Sequence, residues 1–356
     1  MYNARLAKLR NILFTSGIDA ILVSDSSNVT YLSGFSGSEA DLLVTAESAF
    51  LLCDSRYTLQ ASVECPACAV LNTGEGIYKL VNNIIESNNI KNLGIEDRSI
   101  SLAAFNGMSR SVVGATLVPV GGMLSGLRTV KDEKEIACLK RAAWIADRAF
   151  DHVLPLIKAG VKEVEIAAEL EYSMRKNGAD DLSFRTIVAS GANAAKPHGT
   201  ASSKPIEPGD FVVMDYGCKV DGYCSDITRT VAVGPISEKM KNIYNTVLFV
   251  QTKMLSLIKT GMPCSEADAI ARRYFDLFGC GKYFTHSLGH GVGIDVHEQP
   301  TLSKRSVQSI SNNMVITVEP GLYFDGECGV RIEDTVVMAG GKPYVLTSSP
   351  KELIII

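Results

Sequence analysis

Two stretches of similar plan decide the fold of the second half of this chain: FVVMDYG (211–217) with YCSDITRTVAV (223–233), and MVITVEPGLY (314–323) with GVRIEDTVVM (329–338). Each begins as an apolar strand that ends in an acid, passes a turn around Asp-Gly, and returns on a strand that bears a second acid. Strand–turn–strand patterns of this kind predict β-hairpins. The likeness of the two hairpins indicates an internal repeat, so we expect a pseudo-twofold arrangement around one site.

The connection in the first hairpin predicts its register. If Asp221 and Gly222 form a two-residue turn, position 217 pairs with position 226. Alternate residues of a strand point to the same face, so Asp215 then becomes a diagonal neighbour of Asp226. The sequence therefore predicts two carboxylates close together on one face of this hairpin.

The second hairpin predicts another pair of acids. A three-residue loop at 325–327 places Glu319 directly opposite Glu333. Apolar residues precede the acids of both hairpins, and buried ionised carboxylates are costly unless they are paired or bound to metal. Four close negative charges would otherwise drive protonation. Two divalent cations balance the four charges, and the sequence therefore predicts a two-metal site.

Three of the five histidines fall in THSLGHGVGIDVHEQP (285–300). The glycines around His290 leave its backbone uncrowded, so its imidazole can reach into a crowded site. His286 lies four residues earlier, but HSLGH lacks the glutamate of the H-E-x-x-H zinc-protease motif. His152 falls in a predicted helix and is interpreted as structural. Four carboxylates and one imidazole suit manganese, cobalt or zinc in a two-metal arrangement better than a thiolate-bound structural zinc.

The composition excludes several classes of function. The net charge of −4 and pI near 5.8 argue against a nucleic-acid partner held by electrostatics. No apolar stretch reaches the ~20 residues of a membrane-spanning helix. The charged N-terminus lacks the features of a signal peptide, so we expect a cytoplasmic location. Nine cysteines, among them a lone Cys65-x-x-Cys68, are interpreted as free thiols.

The chain divides near a glycine-rich segment that ends at residue 127. Residues 1–127 alternate helical and strand-like segments, with an amphipathic first helix and a hairpin-like pair at 41–45 and 49–54. Residues 128–356 begin with a long helix and carry the acidic hairpins, so the fold class is α/β (or α+β). The helices predicted in this second part are 132–158, 161–178, 237–259 and 265–278.

At these residues the chain resembles the creatinase, aminopeptidase P and prolidase family. The resemblance covers nearly the whole chain and implies a creatinase-like N-terminal α/β domain over 1–127. Residues 128–356 would form a pita-bread metallopeptidase domain, with a pseudo-twofold β core flanked by helices. It also implies a homodimer. The matching segments are SFRTIVASGANAAKPHG (183–199), FVVMDYG (211–217), CSDITRTVAVG (224–234), THSLGHGVGIDVHE (285–298), VEPGLY (318–323), GVRIED (329–334), YLSGFSGS (31–38) and CDSRYTLQA (53–61).

The resemblance implies a role for each matching site residue. His198 and His297 would contact the substrate carbonyl and stabilise the tetrahedral intermediate. Arg331 would orient the metal ligands, and Phe184 would help line a pocket for the proline ring. Lys196 departs from the apolar residue usual in relatives and is interpreted as a solvated lysine at the rim. Two divalent ions, with manganese preferred over cobalt or zinc, would be held by Asp215, Asp226, His290, Glu319 and Glu333.

The implied substrates are short peptides with proline in the second position, attacked by a metal-bridging water. We favour an Xaa-Pro aminopeptidase that acts on peptides of three or more residues. The matching segments of the first half and the compact length look closer to short bacterial aminopeptidase P-like proteins. An Xaa-Pro dipeptidase (prolidase) is the runner-up. The intact ligand set disfavours a metal-free creatinase-like hydrolase and a non-catalytic peptide-binding module. The N-terminal domain disfavours a methionine aminopeptidase.

Overall fold

The computed structural model describes residues 1–356, which form two compact units, Met1–Arg128 and Thr129–Ile356. Both units combine helices with sheets, as the α/β prediction requires. None of the helices combines the length and the apolar character needed to cross a membrane.

The first unit contains one six-stranded mixed sheet. Its strands are β1 (Ala20–Val23), β2 (Asp41–Thr45), β3 (Ala49–Cys53), β4 (Ala69–Asn72), β5 (Asn92–Ile95) and β6 (Thr116–Pro119). They lie in the order β4-β3-β2-β1-β5-β6, and only the pairs that include β2 are antiparallel. The helices are α1 (Tyr2–Thr15), α2 (Ser26–Ser33), α3 (Thr58–Glu64), α4 (Ile77–Ser87), α5 (Leu102–Ser111) and α6 (Met123–Thr129).

Two local predictions for this unit are confirmed. Helix α1 is amphipathic, and its apolar residues Leu6, Leu9 and Leu13 are buried because they recur every three or four positions on one face. The hairpin-like pair is the antiparallel pair β2 and β3, which turns over the three residues 46–48.

The second unit contains the remaining helices and strands. Its helices are α7 (Glu133–Val153), α8 (Glu163–Lys176), α9 (Glu238–Leu257) and α10 (Cys264–Leu277), with short 3-10 helices at Leu154–Leu156, Gly191–Ala195 and Gly281–Tyr283. Its strands are β7 (Asp181–Leu182), β8 (Ile187–Ser190), β9 (Phe211–Tyr216), β10 (Cys218–Val220), β11 (Tyr223–Cys224), β12 (Ile227–Ala232), β13 (Gly289–Gly291), β14 (Glu298–Leu302), β15 (Val315–Val318), β16 (Gly321–Phe324), β17 (Cys328–Arg331), β18 (Asp334–Ala339) and β19 (Lys342–Val345).

All four helices predicted for this unit are present, and the first shows why helices begin and end where they do. A capping box starts α7: Asp132 accepts from the backbone N–H of Glu135 at 2.9 Å, and Glu135 accepts from that of Asp132. The α-helix ends at Val153, five residues before the predicted end, and continues as a 3-10 turn that contains Pro155. Proline has no N–H to continue the α-helical pattern.

The first acidic hairpin has the predicted register. Val220 pairs with Tyr223, which leaves Asp221 and Gly222 as a two-residue turn. Both turn residues have positive φ, 49° and 81°, as tight hairpin turns require. The same register continues into β9 and β12, where Asp215 pairs with Thr228. Asp215 is therefore the diagonal neighbour of Asp226, as predicted.

The second acidic hairpin is also confirmed. Phe324 pairs with Cys328 around a three-residue loop, and Val318 pairs with Asp334 in the same register. Glu319 follows Val318 and Glu333 precedes Asp334, so the two glutamates face each other across the hairpin.

Each hairpin packs against its own pair of helices. Residues of α7 and α8 share one hydrophobic core with β9 and β12, and residues of α9 and α10 share another with β15 and β18. This repeated plan is the predicted pseudo-twofold β core flanked by helices. The two hairpins are in contact beside their acids: the backbone N–H of Glu333 in the second hairpin donates to the Thr228 carbonyl in the first.

Candidate metal centre

Three side chains in or next to separate strands lie close enough to share a metal ion. Asp226, just before β12, His290 in β13 and Glu333, between β17 and β18, each place one ligand atom within 4.8 Å of the others. Asp226 and Glu333 are buried, and His290 is half-buried. Because the three residues are far apart along the chain, only the packing of the hairpins brings them together.

Glu319 extends this cluster. Its Oε1 lies 3.3 Å from His290 Nε2, and Asp226 Oδ2 lies 3.5 Å from the same nitrogen. Thr317 lies two residues earlier on β15 and donates to Glu319 at 3.3 Å. The imidazole therefore stands between one acid from each hairpin.

Asp215 is held beside the cluster by Arg331. One carboxylate oxygen accepts from the guanidinium at 2.5 Å, while Oδ1 is buried and has no hydrogen-bond partner. Arg331 also donates to Thr228 Oγ1, Tyr323 Oη and the Pro197 carbonyl at 2.9, 2.8 and 3.1 Å. A buried carboxylate oxygen without a donor is costly, and a cation would supply the partner that it lacks.

Burial and mutual repulsion disfavour the ionised acids. Burial, and next the charge of Glu333, raise the pKa of Asp226 and of Glu319 well above their ordinary values. Burial, and next the charge of Asp215, raise the pKa of Glu333 to about 8. A divalent cation between these groups would reverse the effect by favouring their charged forms. The donor set therefore fits one or more divalent cations.

His290 has the protonation state that a metal ligand requires. Burial, and next the charge of His297, lower its pKa to about 4, so the ring is neutral near pH 7. Its Nδ1 lies 3.1 Å from the Gly291 carbonyl, which assigns the proton to Nδ1 and leaves the Nε2 lone pair facing the acids.

The glycines around His290 lie in a crowded part of the structure, so the prediction that they leave the backbone uncrowded is wrong. A Cβ on Gly289 would lie 2.1 Å from the Thr317 carbonyl oxygen, and a Cβ on Gly291 would lie 2.3 Å from that of Gln299. These glycines let β13 approach its neighbouring strands closely, whereas the interpretation from sequence was that they free the imidazole. Close approach of the strands places His290 near Glu319.

The two other predicted histidines lie near the cluster. The ring centroids of His297 and His290 are 4.4 Å apart. Burial, and next the charge of His198, lower the pKa of His297. His198 is exposed and follows Pro197, whose carbonyl binds Arg331.

Two further residues named from the sequence lie outside this cluster of contacts. Phe184 is half-buried before β8, where its role in a proline pocket stays a prediction. Lys196 is exposed, and its Nζ lies 3.3 Å from Asn193 Oδ1, in agreement with a solvated lysine.

Three neighbours of the site were not predicted from the sequence: His286, Tyr323 and Thr228. His286 Nε2 lies 2.9 Å from Tyr323 Oη, and its Nδ1 lies 3.9 Å from Glu319 Oε2. Thr228 Oγ1 donates to Glu333 at 2.7 Å. Thr228 could have been found, because it lies two residues after Asp226 on a strand and so points the same way. No local pattern marks the contact between His286 and Tyr323, which are 37 residues apart.

Comparison with known proteins gives matches over both units. Residues 137–339 match the sequence profile described as Metallopeptidase family M24, and residues 5–130 match the Creatinase/Prolidase N-terminal domain. An Xaa-Pro dipeptidase from Pyrococcus horikoshii is 38% identical over 354 residues, which cover 99% of each chain.

Two solved structures are similar along the whole chain. The Xaa-Pro dipeptidase from Bacillus anthracis has a TM-score of 0.97 and 41% identity, and the alignment covers 100% of both chains. The X-Pro aminopeptidase from Thermotoga maritima has a TM-score of 0.92 and 37% identity, with 99% of both chains covered.

Proposed function

This chain belongs to metallopeptidase family M24, and from that premise we propose that it is a metal-dependent Xaa-Pro dipeptidase. The creatinase-like N-terminal domain and the pita-bread catalytic domain expected from the sequence are confirmed. The proposal depends above all on one observation: Asp226, His290 and Glu333 bring their ligand atoms within 4.8 Å of one another. Dipeptides are the proposed substrates because two similar proteins are named Xaa-Pro dipeptidases.

We assign the metal ligands to the five residues predicted from the sequence. The unpartnered Oδ1 of Asp215 and the raised pKa values of Asp226, Glu319 and Glu333 support this assignment. The charge balance of four carboxylates supports two divalent ions, with manganese as the first to test. Such ions, when bound, polarise a peptide carbonyl and lower the pKa of a water molecule.

The chain's own side chains would bind and orient the peptide. His198 and His297 are proposed to donate hydrogen bonds to the substrate carbonyl oxygen, where negative charge develops. The lowered pKa of His297 keeps its ring neutral near pH 7, so it can donate from one nitrogen. Arg331 joins Asp215 to the Pro197 carbonyl, and thereby links a metal ligand to the segment that carries His198.

An Xaa-Pro aminopeptidase is the second candidate. It is the function favoured from the sequence, and the similar structure from Thermotoga maritima is named an X-Pro aminopeptidase. The two activities differ in whether residues follow the proline. The homodimer implied by the resemblance stays a prediction, whichever of the two activities the protein has.

Substrate length decides between the two candidates. Metal-free protein is supplied in turn with manganese, cobalt and zinc, and its turnover of Ala-Pro, Ala-Pro-Ala and Ala-Ala is measured. We expect Ala-Pro to be hydrolysed faster than Ala-Pro-Ala, and Ala-Ala to be hydrolysed slowly. Hydrolysis of Ala-Pro-Ala alone would assign the aminopeptidase. No hydrolysis with any metal, together with no metal binding, would favour a non-catalytic peptide-binding module.

A further inference from the structure

A buried carboxylate outside the metal centre joins two distant points of the chain. Glu163, the first residue of α8, is 0% exposed. Its Oε1 accepts from Ser190 N and Oγ at 2.7 and 2.9 Å, and its Oε2 accepts from Ser202 N and Oγ at 3.1 and 2.6 Å. The Asn193 amide nitrogen lies 3.3 and 3.4 Å from the two oxygens.

The residues bound by Glu163 are the two ends of one loop. Ser190 ends β8 and Ser202 lies twelve positions later; we call residues 191–201 between them the His198 loop. The backbone of α8 adds to this closure, because Val164 N donates to the Ser202 carbonyl at 3.0 Å. Near its tip, the loop accepts one hydrogen bond from Arg331 at Pro197, at 3.1 Å.

The site requires a carboxylate rather than another polar group. The four donors of Ser190 and Ser202 all point at the two side-chain oxygens of Glu163. Only a carboxylate can accept at both of these positions without presenting a donor at either. Lys204 Nζ donates to Ser190 Oγ at 3.0 Å, so the hydroxyl proton of Ser190 is directed at Glu163. Hydrogen bonds from four donors offset the cost of burying the charge.

We propose that Glu163 is a positioning residue for His198: by closing the base of the His198 loop, it holds the His198 imidazole where the substrate carbonyl binds. This inference rests on the proposed function, which assigns the substrate contact to His198. Glu163 itself touches no substrate. The exposed position of His198 supports the inference, because packing of its own side chain does little to fix it.

Kinetics of Glu163→Gln provide the first test. A glutamine places an amide N–H against donors of Ser190 or Ser202, so the base of the loop opens. We expect kcat on Ala-Pro to fall roughly 10–100-fold, with KM and manganese affinity nearly unchanged. A parallel loss of manganese binding would show a general disturbance of the metal centre and would overturn the proposal.

A double-variant cycle separates positioning from a structural effect. If Glu163 acts through His198, Glu163→Gln lowers kcat little further in a protein that already carries His198→Ala. If the two substitutions multiply their effects, Glu163 acts independently of His198 and the proposal is wrong. Ser202→Ala, which removes one donor and keeps the carboxylate, gives the same cycle if Glu163→Gln fails to fold.

Hydrogen–deuterium exchange tests the loop without any activity. Backbone amides of the His198 loop are expected to exchange faster in Glu163→Gln and in Ser202→Ala than in the wild type. Unchanged exchange in both variants would overturn the proposal. If the wild type hydrolyses no Xaa-Pro peptide, the proposed function fails, while the exchange data still show whether Glu163 orders the loop.

Glu96→Gln is the matched control. Glu96 is also a buried glutamate, in the first unit, and accepts from Ser24 N, Asp25 N and Asn28 Nδ2 at 2.7, 2.9 and 2.6 Å. Its substitution is expected to speed exchange around these residues and to leave both kcat and the His198 loop unchanged. Equal kinetic losses in the two variants would contradict a specific role for Glu163.

Discussion

Asp215 has one oxygen bound by Arg331 and a second, buried oxygen without a donor. Next to it, Glu333 has a pKa raised to about 8 by burial and by the charge of Asp215. At the scale of single residues, the centre is thus arranged for a cation and is electrostatically unfavourable without one. Loss of one charge should therefore weaken metal binding and relieve repulsion in the metal-free protein.

Glu333→Gln tests both effects at once. We expect activity to be lost and manganese affinity to fall at least about tenfold. In the folded metal-free protein the pKa of Glu333 is about 8, above its ordinary value of 4.5, so the wild type loses stability as the pH rises through this range. Glutamine carries no charge to lose this stability, so the metal-free variant should unfold at a higher temperature than the metal-free wild type near pH 8. Titration calorimetry measures the manganese affinity, and scanning calorimetry without manganese measures the unfolding temperature. Near-normal turnover would contradict the ligand assignment.

At the scale of elements, buried Arg229 in β12 joins the two hairpins. It donates to Asp334 Oδ1 in β18 at 2.8 Å, to the Ser349 carbonyl at 2.8 and 3.0 Å, and to the Glu333 carbonyl. Asp334 also accepts from Lys351 at 2.6 Å. Burial opposes ionisation of Asp334, but Arg229 and Lys351 prevail and lower its pKa.

Arg229→Met should destabilise the second unit by about 3–5 kcal/mol, because it leaves buried acceptors without their charged donor. Urea unfolding followed by the fluorescence of Trp144, the single tryptophan, which lies in α7, measures the change. The control is Arg175→Met: its pair with Asp181 is exposed, and we expect a change below about 1 kcal/mol. Equal effects of the two substitutions would exclude the proposed importance of Arg229.

The turn of the first hairpin provides another test at this scale. Gly222 has φ 81°, a region that costs other L-residues roughly 1–2 kcal/mol, so Gly222→Ala should destabilise the protein by about that amount. Gly126→Ala is the control: this glycine lies in α6, without positive φ and with no atom within 4 Å of an added Cβ. Alanine there should stabilise the helix by up to about 1 kcal/mol. The denaturation midpoints of both variants, compared with that of the wild type, measure these changes in stability.

At the scale of the whole molecule, metal binding should stabilise the folded second unit, since the proposed ligands converge only when both hairpins are folded. Manganese at about 100 times its Kd is expected to add about 2.7 kcal/mol to the free energy of unfolding. The unfolding transition seen by Trp144 fluorescence should therefore move to higher urea with manganese and back with a chelator. A shift of the same size in Glu333→Gln would show that the ion acts elsewhere.

Local features of the sequence predicted a large part of this protein. The turn at Asp221-Gly222 and the loop at 325–327 each set a hairpin register, because the twofold alternation of strands then places every later residue. The periodicity of α1 predicted its buried face in the same way. Turns and periodic patterns involve neighbours in sequence, so one sequence is enough to interpret them.

Only the tertiary structure decided which groups oppose one another across the site. The pairing of Arg331 with Asp215 joins residues 116 positions apart, and the closure of the His198 loop by Glu163 joins residues up to 39 apart. The glycines beside His290 likewise proved to serve close strand packing. Such contacts depend on distances between separately folded elements, and no local period or turn encodes those distances.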